Sequence, residues 1–155
     1  MFNILINCCL CATMLMGGNM KTKNIQHYLI NSSQAQIIID NNYCSTDNLQ
    51  QLNLVIKDML QDSHEMPALG VAIHTEILKN IKQGVWLKLQ YNGTQYVNDM
   101  PFDELLIEVD SDFGGFNIIR GNKGIYDGRC FYVDLVGNSM KLLYDFINLN
   151  YMQNY

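Results

Sequence analysis

The stretch GIYDGRCFYVDL, from Gly124 to Leu135, sets the guanidinium of Arg129 beside the thiol of Cys130. A cysteine becomes a nucleophile when its pKa is lowered and a base stands by to take its proton; a neighbouring cation helps with the first. In an extended strand, however, successive side chains point to opposite faces. Arg129, Phe131, Val133 and Leu135 then share the more apolar face, which is expected to meet the helices. Cys130, Tyr132 and Asp134 share the other, open face, unless a bulge at Gly128 shifts the phase upstream. The three histidines, His27, His64 and His74, all fall in or beside earlier helical segments. Cys130 therefore has no base within reach and reads as a packing thiol. No catalytic residue is assigned.

Arg120 and Arg129 carry two-pronged donors suited to a carboxylate or phosphate, and with Tyr126 they outline an anion pocket. The plainer reading of Asp127 and Arg129, two apart on one strand, is a local ion pair at a hairpin tip. Tyr91, Tyr96, Tyr126 and Tyr132 together suggest a polar–aromatic sheet surface, a residue type enriched where proteins meet. The candidate ligand- or partner-binding residues are thus Arg120, Arg129, Tyr126 and Tyr132. DSDFGG, from Asp110, begins like a calcium loop but has neither the oxygen ligand nor the distal Glu that such a loop needs, and it reads as a turn. His64 and Glu65 start an HExxH pattern that Ala68 breaks. GNKG is too short for a phosphate loop. No metal or cofactor is expected.

Composition narrows the field. At 155 residues and 48% hydrophobic content the chain can bury a core without disulfides or metal. The net charge of −5 and ten scattered Lys and Arg residues disfavour nucleic acid and anionic membrane surfaces. A basic protein partner is electrostatically welcome. Abundant Asn, Ile and Tyr suggest AT-rich coding and a low-GC bacterial source.

Residues 1–19 are apolar, with no cation before the run and Lys21 and Lys23 after it. They read as an apolar leader or as a misassigned start ahead of Met20, with residues 20–155 forming one domain. A membrane role is expected only if residues 4–16 act as an anchor. The location is expected to be cytoplasmic, with export or membrane tethering through the apolar segment as the alternative. Cys8, Cys9 and Cys11 make a poor zinc site, since a closed site takes four ligands.

Ile25, Tyr28 and Leu29 hint at a helix, and residues 33–40 read as helix or strand. STDNLQQLNLVIKDMLQ is a helix capped by Ser45 or Thr46, with Leu49, Leu52, Ile56, Met59 and Leu60 on one face. A second helix is expected from Pro67 through Ile81, closed by Gly84. VWLKLQY and TQYVN should form a hairpin about Asn92-Gly93, followed by ELLIEVD, FNIIRG and IYDGRCFYVDL. Met140, Leu143, Phe146, Ile147 and Tyr151 make a closing helix after Ser139. The expected fold is α+β: a two-layer antiparallel meander of about five strands against two or three helices, with a helix at the C-terminus. Two functions follow. One is a small acidic non-catalytic interaction module, of immunity or inhibitor type. The other is a small-molecule binder or small enzyme with an anion site at Arg120 and Arg129.

Overall fold

A two-residue loop with both residues at positive φ twists a hairpin in the sense its strands require, and Asn, Asp and Gly tolerate that backbone best. Three such loops shape this chain: Asp40-Asn41 (φ 46° and 70°), Asn98-Asp99 (49° and 62°) and Lys123-Gly124 (52° and 79°). The structure, a computed structural model, describes residues 23–67 and 70–153. The apolar leader, the alternative start at Met20, Cys8, Cys9, Cys11, Ala68 and Leu69 lie outside the described residues.

The elements run α1 (Ile25–Leu29), β1 (Gln34–Ile39), β2 (Asn42–Ser45), α2 (Leu49–Met59), β3 (His64–Met66), β4 (Val71–Ala72), α3 (His74–Asn80), β5 (Val85–Val97), β6 (Met100–Glu108), β7 (Gly115–Asn122), β8 (Ile125–Tyr126), β9 (Gly128–Arg129), β10 (Phe131–Asp134) and α4 (Lys141–Ile147). A π-helical turn, Asn148–Met152, follows α4. The main sheet is antiparallel, in the order β2-β1-β5-β6-β7-β10-β3, with β8 paired to β7. The α+β class, the antiparallel sheet and the C-terminal helix are as expected. The sheet has eight strands rather than five, and the described residues form four helices.

Each added strand has a physical reason. Residues 34–39 are strand because they carry Ala35, Ile37 and Ile39 into one core and Ile38 into another. The helix expected from Pro67 is instead β4, at Val71–Ala72, followed by the short helix α3. Met66, placed before a proline, is biased to extended backbone, and β3 finds a partner in β10. Only His74–Asn80 is helical; Ile77 and Ile81 are buried, while Ile73 and Leu78 stay exposed.

The hairpin at Asn92-Gly93 is not formed. β5 runs through it with a bulge: Gln90 to Gln95 spans five steps against two on β6, from Glu104 to Phe102. Gly93, at φ 98°, absorbs the distortion, and the reversal comes at Asn98-Asp99. Tertiary pairing outweighs the local turn signal here. β6 brings Leu105, Leu106 and Ile107 to burial, whereas Thr94–Val97 offers one fully buried side chain, Val97.

Helix α2 is capped by Asn48, whose Oδ1 accepts from Gln51 N at 3.0 Å, because Ser45 is already in β2. Ser139 Oγ accepts from Lys141 N at the start of α4, as its position suggested. Leu52, Ile56 and Met59 of α2 and Leu143 and Ile147 of α4 bury against one sheet face together with Leu87, Leu89, Leu105, Phe131 and Val133. The opposite face is covered in part by α3 and β4, over Ile38, Trp86, Leu106 and Ile119. Among the described residues, no helix is long and apolar enough to cross a membrane.

The relocated turn is testable. Asn98→Val puts a β-branched residue at φ 49° and should cost about 1–3 kcal/mol, whereas Asn92→Val on the exposed bulge should cost about 0.5 kcal/mol or less. Urea denaturation of both variants measures the difference; equal costs would return the hairpin to Asn92-Gly93.

Candidate functional site

The final strand expected from IYDGRCFYVDL is broken into three, β8, β9 and β10. Tyr126 faces Gly121 and Phe131 faces Ile118, so five steps on one chain oppose three on its partner. The excess forms a detour in which Gly128, at φ 93°, and Arg129 pair with β4. Below the detour the alternation holds: Phe131, Val133 and Leu135 lie in the core beneath α1, α2 and α4. Cys130 lies on the other side, as read from the sequence, but that side is not open there. It is 5% exposed, packed with Ala72, Ile77, Ile81 and Tyr126. Burial pushes the thiol pKa up, only partly offset by the Ala72 backbone and the Arg120 guanidinium. Its backbone N–H donates to Gly70 O at 3.0 Å.

The candidate anion residues are placed as follows. Arg120 donates from Nε to Arg129 O at 2.9 Å and from Nη1 to Pro101 O at 3.0 Å. It thus ties β7 to β9 and to the start of β6, and its half-buried position lowers its pKa through desolvation. The Arg129 side chain is exposed and borders a cavity of about 510 Å³ that Glu65 and Met66 also line. Asp127 turns back, its Oδ1 accepting from Gly128 N, and makes no ion pair with Arg129. The structure brings Arg120 and Arg129 together through a carbonyl, with one guanidinium engaged and the other outside.

The four tyrosines do not share a surface. Tyr91 is in the aromatic cluster beneath α1, donating to Tyr28 O at 2.6 Å and stacking edge-on with Phe102. Tyr96 is exposed beyond the bulge. Tyr126 and Tyr132 both face the α3 side, but on different strands and with different neighbours.

Tyr126 belongs to a polar cluster that the sequence reading missed. On the α3 side, next to the part that α3 covers, Lys88 Nζ lies 3.8 Å from Glu104 Oε2, and their side chains are only 14% and 12% exposed. The Lys88 ammonium lies 5.4 Å from the Tyr43 ring and 5.9 Å from the Tyr126 ring, close enough for cation–π attraction. Burial, followed by the neighbouring Glu104 carboxylate, drives the Tyr126 phenol pKa up and keeps its proton on. His74 Nδ1 accepts from Tyr126 N at 3.1 Å, and the two rings stack. Gly121 makes the cluster possible, since a methyl there would lie 2.5 Å from Glu104 Cγ and 2.8 Å from Tyr126 Cε1. A desolvated ion pair costs free energy unless its groups are well paired. The only sequence signal was Lys88 between two leucines and Glu104 at the head of Leu105–Ile107.

Tyr132 lines a different feature, a cleft of about 330 Å³ between α3 and the sheet. Its walls include Ile77 and Asn80 from α3, Trp86 from β5, Glu108 from β6, Phe113 from the β6–β7 turn, Asn117 and Ile119 from β7 and Tyr132 from β10. Trp86 and Glu108 are directly opposed across the β5–β6 pair. The Tyr132 ring lies across Gly115, where a side chain would strike its hydroxyl. Burial and the adjacent Asp110 raise the Glu108 pKa. The turn beyond it is held by Asp110 Oδ1 accepting from Asp112 N at 2.9 Å, the role read from DSDFGG. Comparison with protein-family models, with curated proteins and with solved structures finds no match to this chain.

Two consequences are measurable. Gly121→Ala should destabilise the fold by about 1–3 kcal/mol, because Glu104 and Tyr126 must both shift to admit the methyl, and chemical denaturation reads this directly. Glu108 has a raised folded-state pKa, so its contribution to stability is greatest below the ordinary carboxylate pKa and is lost as pH rises through the folded value. Glu108→Gln should therefore raise the melting temperature slightly at pH 7, with the gain vanishing below the ordinary carboxylate range.

Proposed function

We infer that this protein is a non-catalytic interaction module that docks on a basic protein, as an immunity or inhibitor protein docks on its target. The observation that carries this reading is the uneven cover on the α3 side of the sheet. Tyr43, Phe113 and Tyr132 keep partial exposure there, each beside a carboxylate or an ion pair. Tyr, Trp and Phe are the residue types enriched in protein interfaces, and flanking carboxylates steer a cationic partner. The net charge of −5 favours the same encounter over long range.

Support for a small-molecule anion site is thinner. Arg120 gives Nε and Nη1 to backbone carbonyls, which leaves Arg129 as the exposed guanidinium of the pair.

The experiment is a capture from lysate of the native host with the immobilised protein, run beside a Tyr43→Ala/Glu108→Gln/Tyr132→Ala variant. The wild type should retain a basic protein that the variant loses, and retention should fall near ~1 M salt, where the screening length shrinks to about 3 Å. A wild type that retains nothing beyond what the variant retains overturns the reading.

A further inference from the structure

We propose that the cleft between α3 and the sheet receives an arginine side chain from a basic protein segment, with Glu108 as its counter-ion. The proposal rests on the interaction reading above and names the point of contact.

The walls of the cleft decide the occupant. Ile77, Ile119 and the Trp86 edge are apolar and suit a methylene stem, while Phe113 and Tyr132 add aromatic surface near the mouth. Glu108 is the one charged residue among the described residues that line it, and it is exposed at the rim. Asp110 is near enough to act on Glu108 electrostatically, and Asp112 follows in the same turn. A rim carboxylate with a like charge close by and no cation among the described residues lining its cleft is complementary to an incoming cation.

Size and chemistry select further. At about 330 Å³ the space is at the small end of ligand pockets, which run from about 300 to 1,000 Å³, and it suits one long side chain. Arginine is the better match than lysine. Its planar guanidinium stacks on aromatic rings and pairs two-pronged with a carboxylate, and it is more weakly hydrated than an ammonium. Aromatic walls and a rim carboxylate are the two partners that geometry uses.

The chain carries its own reporter, because Trp86 is the single tryptophan and is part of the cleft. The test titrates the whole protein with an end-blocked Gly-Gly-Arg-Gly-Gly peptide, read by Trp86 emission. The same peptide with citrulline in place of arginine, and free arginine amide, serve as companions. The arginine peptide should give a saturable change, and the citrulline peptide should bind at least about tenfold more weakly, since it keeps the shape and loses the charge. Glu108→Gln should weaken the arginine peptide by a similar factor while leaving the citrulline peptide unaffected. No saturable change, or equal binding of arginine and citrulline, overturns the proposal. Arginine amide binding as tightly as the peptide would reassign the cleft to a small cationic ligand and also overturn it. If peptide binding fails while the lysate partner is still captured, the interaction reading survives and docking lies elsewhere on the face.

Discussion

The pairing register of β5 against β6 is the constraint on which the rest of the structure depends. Leu87 opposes Ile107 and Leu89 opposes Leu105, and all four go to the core beneath α1, α2 and α4. Trp86 and Leu106 of the same two strands go to the core beneath α3. A slip of one residue would turn one strand over against the other, moving Lys88 or Glu104 into the main core and that strand's leucines to the other face. Each fully buried Leu or Ile contributes about 1.5–3 kcal/mol, so the misregistered pairing is far out of reach energetically. The desolvated Lys88–Glu104 pair works in the same direction, since it is tolerable only on the side where Tyr43 and Tyr126 flank it.

From that register the two faces acquire different duties. The side beneath α1, α2 and α4 is continuous: Ile25, Leu52, Leu143, Phe102 and Val133 are all fully buried around it. The other side is shared out. α3 is only seven residues long, and it covers Ile38, Leu106 and Ile119 but neither Tyr43 at one edge nor Tyr132 toward the other. A short helix laid over a broad sheet leaves a polar cluster on one flank and a cleft on the other. Recognition surfaces suit such places, because the scaffold below is rigid and the side chains above keep access to solvent.

The chemistry-bearing residues divide along the same line. Cys130 is drawn under α3 and β4, where burial keeps it a thiol and makes it part of the packing. Arg120 has become a brace between β6, β7 and the β9 detour. Glu108 remains at a rim, raised in pKa by burial and by Asp110, and supplies negative charge where aromatic side chains are exposed. Cys130 and Arg120, conspicuous in the sequence, are engaged in the fold, whereas Glu108 and its aromatic neighbours keep access to solvent.

Strand alternation in FYVDL, the amphipathic stripes of α2 and α4 and the antiparallel order of β5, β6, β7 and β10 were legible from sequence, because each depends on contacts between near neighbours or on one apolar face. The α+β class followed from them. Three features were decided only by tertiary structure. β3 formed from His64–Met66, the break read before Pro67, because β10 offered an unpaired edge. The β5–β6 reversal moved from Asn92-Gly93 to Asn98-Asp99, because long-range burial of Leu105, Leu106 and Ile107 outweighed a local turn preference. Lys88, Glu104, Tyr43 and Tyr126 met across four strands, as did Trp86, Glu108 and Tyr132 across the cleft. Periodicity assigns a residue to a face, but which residues from distant strands become neighbours on that face depends on strand order, and strand order is set by how the whole chain buries its apolar surface.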